Sequence, residues 1–326
     1  MSLYLGLGLS LTNRASAAGP AAPALTSLDF DQADTAGGDS VTITGTDLTA
    51  ASSCTVGGTS ATITANTSTT LTFTMPAKAA GSYNVQVTTA GGASNTLSLE
   101  AWGPEQLTGV TAGFERPNYT AGTGTWAYRI GGADADNGGL AAPAAASGSP
   151  NFSGSGSEGI RLSQNEGAAF TMTGTPKGSV LMVINPDTLA ADAGASTPYA
   201  NVNLWCHEAR GVLGCDLSAS GVGMWASDGS YRRGTAAISA GVINAVCTRF
   251  ESGVEVAAKV GAGAWASTAL GTYSPTTTNI VQLGANYNAS TTYDGTMRAA
   301  FFCNVRCSDA EAVKFRKWAM CRHGAV

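Results

Sequence analysis

The chain has 326 residues, of which 44% are hydrophobic and only 12% charged, with a formal net charge of −5. This length fits about two domains, and the hydrophobic content excludes a disordered chain. The 17 basic residues are thinly spread, so no nucleic-acid-binding face is expected. No apolar run approaches the roughly 18 residues that span a bilayer, and we predict a soluble protein without membrane insertion. The 42 glycines, together with many small residues, favour short strands and an all-β fold.

The N-terminal segment alternates leucine with small or polar residues. The leucines are Leu3, Leu5, Leu7, Leu9 and Leu11. This period of two predicts a strand with one apolar face, and an Ala/Gly/Pro linker follows it instead of a second strand. We therefore predict that residues 1–23 form an anchor that pairs with another protein's sheet edge or with copies of itself. The alternatives are a strand docked on its own domain and an uncleaved signal peptide, although no basic residue precedes the leucines.

Residues 24–100 alternate apolar and polar residues in runs about ten residues apart, separated by glycine-rich turns. This spacing predicts an Ig-like β-sandwich. The run Gly-Gly-Asp-Ser-Val-Thr-Ile-Thr-Gly-Thr-Asp-Leu at 37–48 resembles the signature of the IPT/TIG family of Ig-like domains. The order that follows, with Thr-Leu-Thr-Phe-Thr-Met-Pro at 70–76 and Gly-Ser-Tyr-Asn-Val-Gln-Val at 81–87, is also similar. The resemblance implies a spacer or contact module.

Residues 101–326 contain about eight strand candidates, which predict a second, larger domain of the two-sheet jelly-roll type. The chain then changes its pattern. Ser308 and Glu311 form a capping-box signature, apolar residues follow at helical spacing, and Gly324 provides a stop. We predict a single substantial helix at this C-terminal end.

The segment around this helix carries a second resemblance. Residues 293–298 read Tyr-Asp-Gly-Thr-Met-Arg, a strand follows, and residues 308–311 read Ser-Asp-Ala-Glu before the helix. This order is similar to the end of concanavalin A-like lectin and LamG-type domains, with Cys307 where leucine is common. The resemblance implies a concanavalin A-like jelly roll with one C-terminal helix and says little about the ligand.

Catalytic residues are not predicted. A glycosidase needs two carboxylates flanking the scissile bond, and Glu251 and Glu255 are separated by a turn, so we expect no such pair. The two histidines, His207 and His323, do not suggest a nucleophilic triad. Residues 134–138 resemble a calcium loop only superficially, and we interpret them as a turn. A glycoside hydrolase is therefore the least favoured reading.

The seven cysteines predict neither a metal site nor a disulfide framework. Cys303, Cys307 and Cys321 lack zinc-ligand spacing, and we expect buried, reduced thiols and no cofactor. Cys206 and Cys215 flank a turn, and a bridge between them is left open. Reduced thiols indicate assembly in a cytoplasm.

Two loops combine aromatic and planar polar side chains, which are the groups that contact sugars. The candidate glycan- or surface-binding residues are Trp225, Tyr231, Arg232, Arg233, Tyr287 and Tyr293. The alternative is that they are ordinary rim and core residues. Other tryptophans are predicted to be core residues, namely Trp102, Trp126, Trp205 and Trp318.

An anchor, a spacer and a lectin-like domain without catalytic residues together resemble the architecture of tailed-bacteriophage virion proteins, such as capsid decoration proteins, head fibres and tail adhesins. We therefore expect a non-enzymatic protein on the virion surface, assembled in a bacterial cytoplasm. Its expected partners are capsid or tail proteins, host-surface glycans and copies of itself, with a trimer as the guessed oligomer. The alternative is a secreted bacterial carbohydrate-binding adhesin.

Overall fold

The structure is a computed structural model. It describes residues 19–131, 134–136, 140–154, 158–165, 169–171, 174–189, 202–207, 213–228, 230–273, 280–285 and 293–326. Strands dominate these residues, which form an Ig-like sandwich, a larger curled sandwich and a C-terminal helix, α1 (Asp309–His323). The predicted all-β fold class is confirmed. Among the described residues, no helix is long and apolar enough to cross a membrane. The predicted leucine-faced strand lies outside the described residues.

Nine strands form the first domain. They are β1 (Ala24–Leu28), β2 (Gln32–Ala33), β3 (Ser40–Thr46), β4 (Ser53–Val56), β5 (Thr59–Asn66), β6 (Thr70–Thr74), β7 (Gly81–Thr89), β8 (Gly92–Ala93) and β9 (Leu97–Ala101). Their hydrogen-bonded order is β1-β3-β6-β5-β4-β7-β9-β2, with β8 on β7. Because β5 pairs with β6 on one side and β4 on the other, the strands curl into a sandwich. Alternating residues such as Val41, Ile43, Leu71 and Phe73 are fully buried, as the period of two predicts.

The described residues of the second domain contain fifteen strands. They are β10 (Val110–Thr120), β11 (Thr125–Ile130), β12 (Ala144–Ala146), β13 (Ser149–Ser153), β14 (Ile160–Asn165), β15 (Lys177–Pro186), β16 (Val202–His207), β17 (Leu213–Ser218), β18 (Gly221–Ser227), β19 (Tyr231–Ala236), β20 (Asn244–Glu251), β21 (Glu255–Val260), β22 (Ala266–Ala269), β23 (Ile280–Leu283) and β24 (Asp294–Cys303). The larger sheet has the order β11-β10-β24-β15-β20-β21-β22, with the β12–β13 hairpin on β24, and the smaller sheet has the order β14-β23-β16-β17-β18-β19.

About half of these strands were predicted. Asn244–Glu251 agrees with the prediction, and the last strand begins one residue earlier than expected. The strands β10 to β14, β17, β19 and β22 were not predicted, because they are short, lack clear alternation or contain Pro or Gly. The predicted strand at 168–173 lies partly outside the described residues.

The two sheets enclose one hydrophobic core, and α1 adds a second layer outside it. Phe114, Trp126 and Phe302 belong to the core between the sheets. On the outer face of the larger sheet, Phe301 packs against Trp318 of α1 with ring centroids 5.5 Å apart. The larger sheet is therefore buried on both faces, which explains the nearly continuous burial of β15 and β20.

The predicted caps of α1 are confirmed. The Ser308 hydroxyl accepts from the Glu311 amide at 3.2 Å, and the Glu311 carboxylate accepts from the Ser308 amide at 2.8 Å. At the other end, Gly324 adopts φ 71°, a left-handed conformation that side chains disfavour.

Candidate functional site

Three of the predicted glycan-contact residues share one face of the smaller sheet. In the β17–β18–β19 meander, Trp225 lies opposite Arg233, and Ser227 lies opposite Tyr231. Side chains that face each other across paired strands project to the same side. Asp216 joins them from β17, where it pairs with Gly223. We call this surface the β17–β19 face; its opposite side, with Val222 and Met224, belongs to the core.

A buried ion pair lies in the middle of this face. Arg233 donates to Asp216 Oδ1 from Nε at 3.1 Å and from Nη2 at 2.8 Å. The two side chains are 6% and 0% exposed, so the pair is largely removed from water. A Cβ on Gly223 would lie 2.2 Å from Arg233 Nε and 2.5 Å from Asp216 Oδ1. The pair therefore requires glycine at 223.

Trp225 and Tyr231 form the aromatic part of the face, with ring centroids 6.3 Å apart and the planes 76° apart. Tyr231 is partly exposed, but Trp225 is fully buried. The prediction of an exposed Trp225 is therefore wrong, because its strand is buried on both faces. Among the described residues the Trp225 indole Nε1 has no hydrogen-bond partner, which leaves one buried donor on this face.

The remaining predicted contact residues lie elsewhere. Arg232 projects from the other side of β19 and pairs with Asp228 at 3.1 Å. The Gly271 amide, together with Ser230 and Arg232, lowers the pKa of Asp228. Tyr293 is fully buried and packs edge-on against Phe152, so its prediction as a surface residue is wrong. Tyr287 lies outside the described residues.

Of the six cysteines whose side chains the structure describes, five are free and buried, as predicted, and Cys321 is free but only partly buried. Cys303 and Cys307 are free and buried, and burial raises the pKa of Cys307 to about 11. Cys215 is also free and lies opposite Trp205, so a bridge from Cys206 to Cys215 is not formed. The hairpin register is responsible, because it offsets the two cysteines by one residue. Within the described ranges, no group of three or more His, Cys, Asp or Glu side chains is placed to hold a metal ion.

Glu251 and Glu255 differ from their sequence interpretation. They lie directly opposite each other across the β20–β21 hairpin, because the turn that separates them in sequence brings them together. Arg249 and Arg306 both contact Glu255 Oε1, at 2.8 and 2.7 Å. Burial raises the pKa of Glu255, but the two arginines outweigh it and lower the pKa. Both carboxylates therefore belong to an ion-pair cluster.

The sequence interpretation missed a buried charged network between the two domains. Arg129 on β11 contacts Asp34 of the first domain at 2.8 Å, Glu105 at 2.6 Å and Glu115 at a short distance. The Trp318 indole of α1 donates to Asp34 at 2.5 Å. The Asp34 carboxylate of the first domain therefore contacts both β11 and α1 of the second domain. Glu115, a charged residue within strand β10, is the residue whose position in the sequence could have indicated this network.

The end of α1 completes this network. Arg322 pairs with Asp39 at 2.9 Å and Glu115 at 3.1 Å, and so joins the first domain to β10. His323 Nδ1 accepts from Arg116 at 3.1 Å, and its Nε2 lies 3.3 Å from Glu115. Burial lowers the pKa of His323, and it outweighs the opposing effect of Glu115. The imidazole is therefore neutral at neutral pH.

Comparisons with known proteins identify one segment of the chain. The model of the IPT/TIG domain matches residues 23–101, so this segment is an IPT/TIG domain. A search of curated proteins gave no match.

Solved structures similar to the chain are carbohydrate-binding and sialidase β-sandwich proteins. Domain 4 of AbnA, a GH43 extracellular arabinanase from Geobacillus stearothermophilus in complex with arabinotriose, is 12% identical; the alignment covers 65% of this chain and 100% of that one, with a TM-score of 0.46. The CBM40 of Ruminococcus gnavus IT-sialidase, bound to α2,3 sialyllactose, is 19% identical; the alignment covers 51% of this chain and 94% of that one, with a TM-score of 0.38. Trypanosoma rangeli sialidase is 12% identical; the alignment covers 73% of this chain and 42% of that one, with a TM-score of 0.44. At these identities the likeness concerns the fold alone.

Proposed function

We propose that the chain is a non-enzymatic adhesion protein that displays its curled sandwich at the surface of a tailed-bacteriophage virion. In this proposal residues 1–23 attach it to a capsid or tail protein, the IPT/TIG domain is a spacer, and the concanavalin A-like sandwich contacts glycans of the host surface. The chain acts as a homo-oligomer, with a trimer as the expected form.

The observation that carries this proposal is the position of two points on the first domain: the start of β1, which follows the N-terminal segment, and the contact with the second domain. Strand β3 runs from Ser40 to Thr46, and Ala24, the first residue of β1, pairs with Thr46. Asp39, just before the other end of β3, pairs with Arg322 of α1. A seven-residue strand is about 20 Å long. The start of β1 and the second domain therefore lie at opposite ends of the first domain, as a spacer requires.

The rigid attachment of the second domain is consistent with display. Helix α1 buries Phe315 and Trp318 against the larger sheet, and Trp318 and Arg322 also hold the first domain through Asp34 and Asp39. Interfaces between domains of one chain otherwise permit relative motion. A fixed connection holds the sandwich away from the anchoring end.

The charged groups of the second domain favour binding over hydrolysis. A glycosidase acid needs a raised pKa, so that it carries a proton at neutral pH. Glu255, in contrast, has a lowered pKa because it contacts Arg249 and Arg306. Asp216 is paired with Arg233 and buried. These pairs fit a structural use of the carboxylates.

The β17–β19 face is the proposed glycan contact. It presents the partly exposed ring of Tyr231, which suits the face of a sugar ring, and the buried Trp225 packs edge-on against this tyrosine. We expect Tyr231→Ala to abolish binding on a glycan array. Tyr128→Ala, which removes an exposed tyrosine from β11, is the matched control. If both variants bind glycans equally well, the β17–β19 face is not the glycan contact.

The virion assignment is tested on purified native particles. Mass spectrometry should detect the chain in particles with its N-terminal leucine segment intact. A variant truncated before Ala24 should fold but not enter particles. If the truncated chain is incorporated at the normal copy number, the anchor proposal fails. If native material instead lacks about the first 18 residues and is found outside cells, the alternative of a secreted bacterial adhesin replaces the virion assignment.

A further inference from the structure

An open pocket lies where the C-terminal end of α1 meets the first domain. It has a volume of about 420 Å³, and its walls are formed by residues 38–40 of the first domain, residues 115–117 of β10, Ser147 between β12 and β13, and residues 321–323 of α1. This volume lies in the range of small-molecule binding pockets, roughly 300–1,000 Å³. None of these residues belongs to the β17–β19 face, so the pocket is a separate site.

Arg116 brings a positive charge to this pocket without a carboxylate partner. Among the described residues its side chain contacts only uncharged acceptors: Nε donates to His323 Nδ1 at 3.1 Å, and Nη2 donates to the Arg322 carbonyl at 3.5 Å. The side chain lines the pocket and is partly exposed, and Nη1, which takes no part in either bond, is not buried. Arg116 therefore presents an accessible cation to a ligand in the pocket.

A second arginine adds to this charge. Arg298 on β24 lies beside Arg116, because β10 and β24 pair here with Glu115 opposite Ala299. Its Nη1 donates to the His323 carbonyl at 3.1 Å, and within the described part of the chain it contacts no carboxylate. Burial and the charge of Arg116 lower the pKa of Arg298. The two guanidinium groups repel each other and keep most of their N–H donors available, so an anion beside them is stabilised.

The carboxylates in the pocket wall are already paired. Asp39 and Glu115 are 2% and 5% exposed, and they contact Arg322 at 2.9 and 3.1 Å. They therefore do not neutralise Arg116, but they repel an incoming anion. A doubly charged phosphate group is repelled about twice as strongly as a carboxylate. The pocket therefore favours a singly charged group, and a planar carboxylate also matches the parallel N–H bonds of a guanidinium.

We propose that this pocket binds the carboxylate of an acidic sugar residue of the uronic acid class. The carboxylate accepts from Arg116 Nη1 and lies beside the charge of Arg298. The sugar ring lies towards the mouth of the pocket, where Ser40 and Ser147 are exposed. Their hydroxyls both donate and accept hydrogen bonds, as sugar hydroxyls do. The inference rests on the residues of this pocket, so loss of the contact proposed for the β17–β19 face would leave it intact.

The test is a nuclear magnetic resonance titration of the full chain at about pH 7 and constant ionic strength. Glucuronate should shift the side-chain Nε–H signals of Arg116 and Arg298 with a dissociation constant in the millimolar range, as expected for a single sugar. Glucose, which has a neutral hydroxymethyl group in place of the carboxylate, should leave these signals unchanged. Acetate, which lacks the ring, and glucose 6-phosphate, which carries the larger charge, should both bind more weakly than glucuronate.

Three variants separate binding from folding. Arg116→Gln should weaken glucuronate binding by about tenfold or more, followed at the Arg298 signal, because it removes a hydrogen bond between two charged groups. Ser40→Glu places a competing carboxylate at the mouth of the pocket and should abolish the shifts while both arginines remain. Ser68→Glu adds the same charge in an exposed turn beyond the other end of β3, where the Ser68 carbonyl accepts from the Leu48 amide, and should preserve them.

The inference is overturned if glucuronate produces no shifts, if glucose produces equal shifts, or if Ser40→Glu binds glucuronate as the unmodified chain does. Acetate that binds as tightly as glucuronate would show that the sugar ring is not recognised and would overturn the sugar assignment. Glucose 6-phosphate that binds as tightly as glucuronate would overturn the preference for a carboxylate.

Discussion

Glu115 makes the stability of the domain connection dependent on pH. Burial alone raises its pKa, but the contacts with His323, Arg129 and Arg322 outweigh burial and lower the pKa from 4.5 to about 2. A carboxylate with a lower pKa in the folded state stabilises the fold above the pKa of the unfolded state. This contribution is complete above about pH 4.5 and is lost as the pH falls towards 2.

The size of the effect follows from the two pKa values. At about 1.4 kcal/mol per pKa unit, the difference corresponds to about 3 kcal/mol of stability at neutral pH. The side chain is only 5% exposed, so solvent screening reduces this value little. His323 also makes the folded state less stable as the pH falls. Its lowered pKa keeps it neutral in the fold, while the unfolded chain takes up a proton below about pH 6.5.

The assay is urea-induced unfolding followed by tryptophan fluorescence between pH 7 and pH 2.5. Glu115→Gln should lose about 3 to 5 kcal/mol at pH 7, because Arg129 and Arg322 lose a buried partner. Between pH 4.5 and 2.5 its stability should fall less steeply than that of the unmodified chain. Glu105→Gln is the control, because Glu105 pairs with Arg129 nearer the surface and should cost about 1 kcal/mol or less. Parallel pH profiles for Glu115→Gln and the unmodified chain would refute the reasoning.

Three substitutions test the other contacts. Trp318→Phe should cost about 1 to 3 kcal/mol in thermal unfolding, because it removes the donor to buried Asp34; unchanged stability would exclude that bond. Gly223→Ala should cost about 1 to 3 kcal/mol, since its Cβ would collide with the Asp216–Arg233 pair, whereas Gly122→Ala, with open space around it, should stay within about 0.5 kcal/mol. Ser308→Ala should cost about 1 kcal/mol through the lost cap, and equal amide exchange in the first turn of α1 would contradict this.

Local signals in the sequence predicted the first domain and α1 well. In both regions one face is buried and the other is not, so alternation or helical spacing marks the core directly. The Ser308 and Glu311 pair and Gly324 also determine the helix ends through bonds within a few residues of each other. Such short-range constraints are readable without knowing the tertiary structure.

The candidate site was less predictable, because exposure depends on layers that alternation does not reveal. The larger sheet has the opposite sheet on one side and α1 on the other, and β18 is likewise buried on both faces. The sequence pattern around Trp225 is therefore the same whether its side chain is exposed or buried. The network around Arg129 escaped prediction for another reason, because its partners Asp34 and Glu115 are far apart in the chain.

The position of β24 has a consequence for biosynthesis. This strand lies inside the larger sheet between β10 and β15, and it pairs Val110 with Cys303, about 190 residues away. Only α1 follows it in the described chain. During translation β10 and β15 therefore leave the ribosome long before the strand that separates them, with their backbone edges unpaired. The second domain must close after synthesis of nearly all of its residues, and expression fragments that end before Asp294 should aggregate rather than fold.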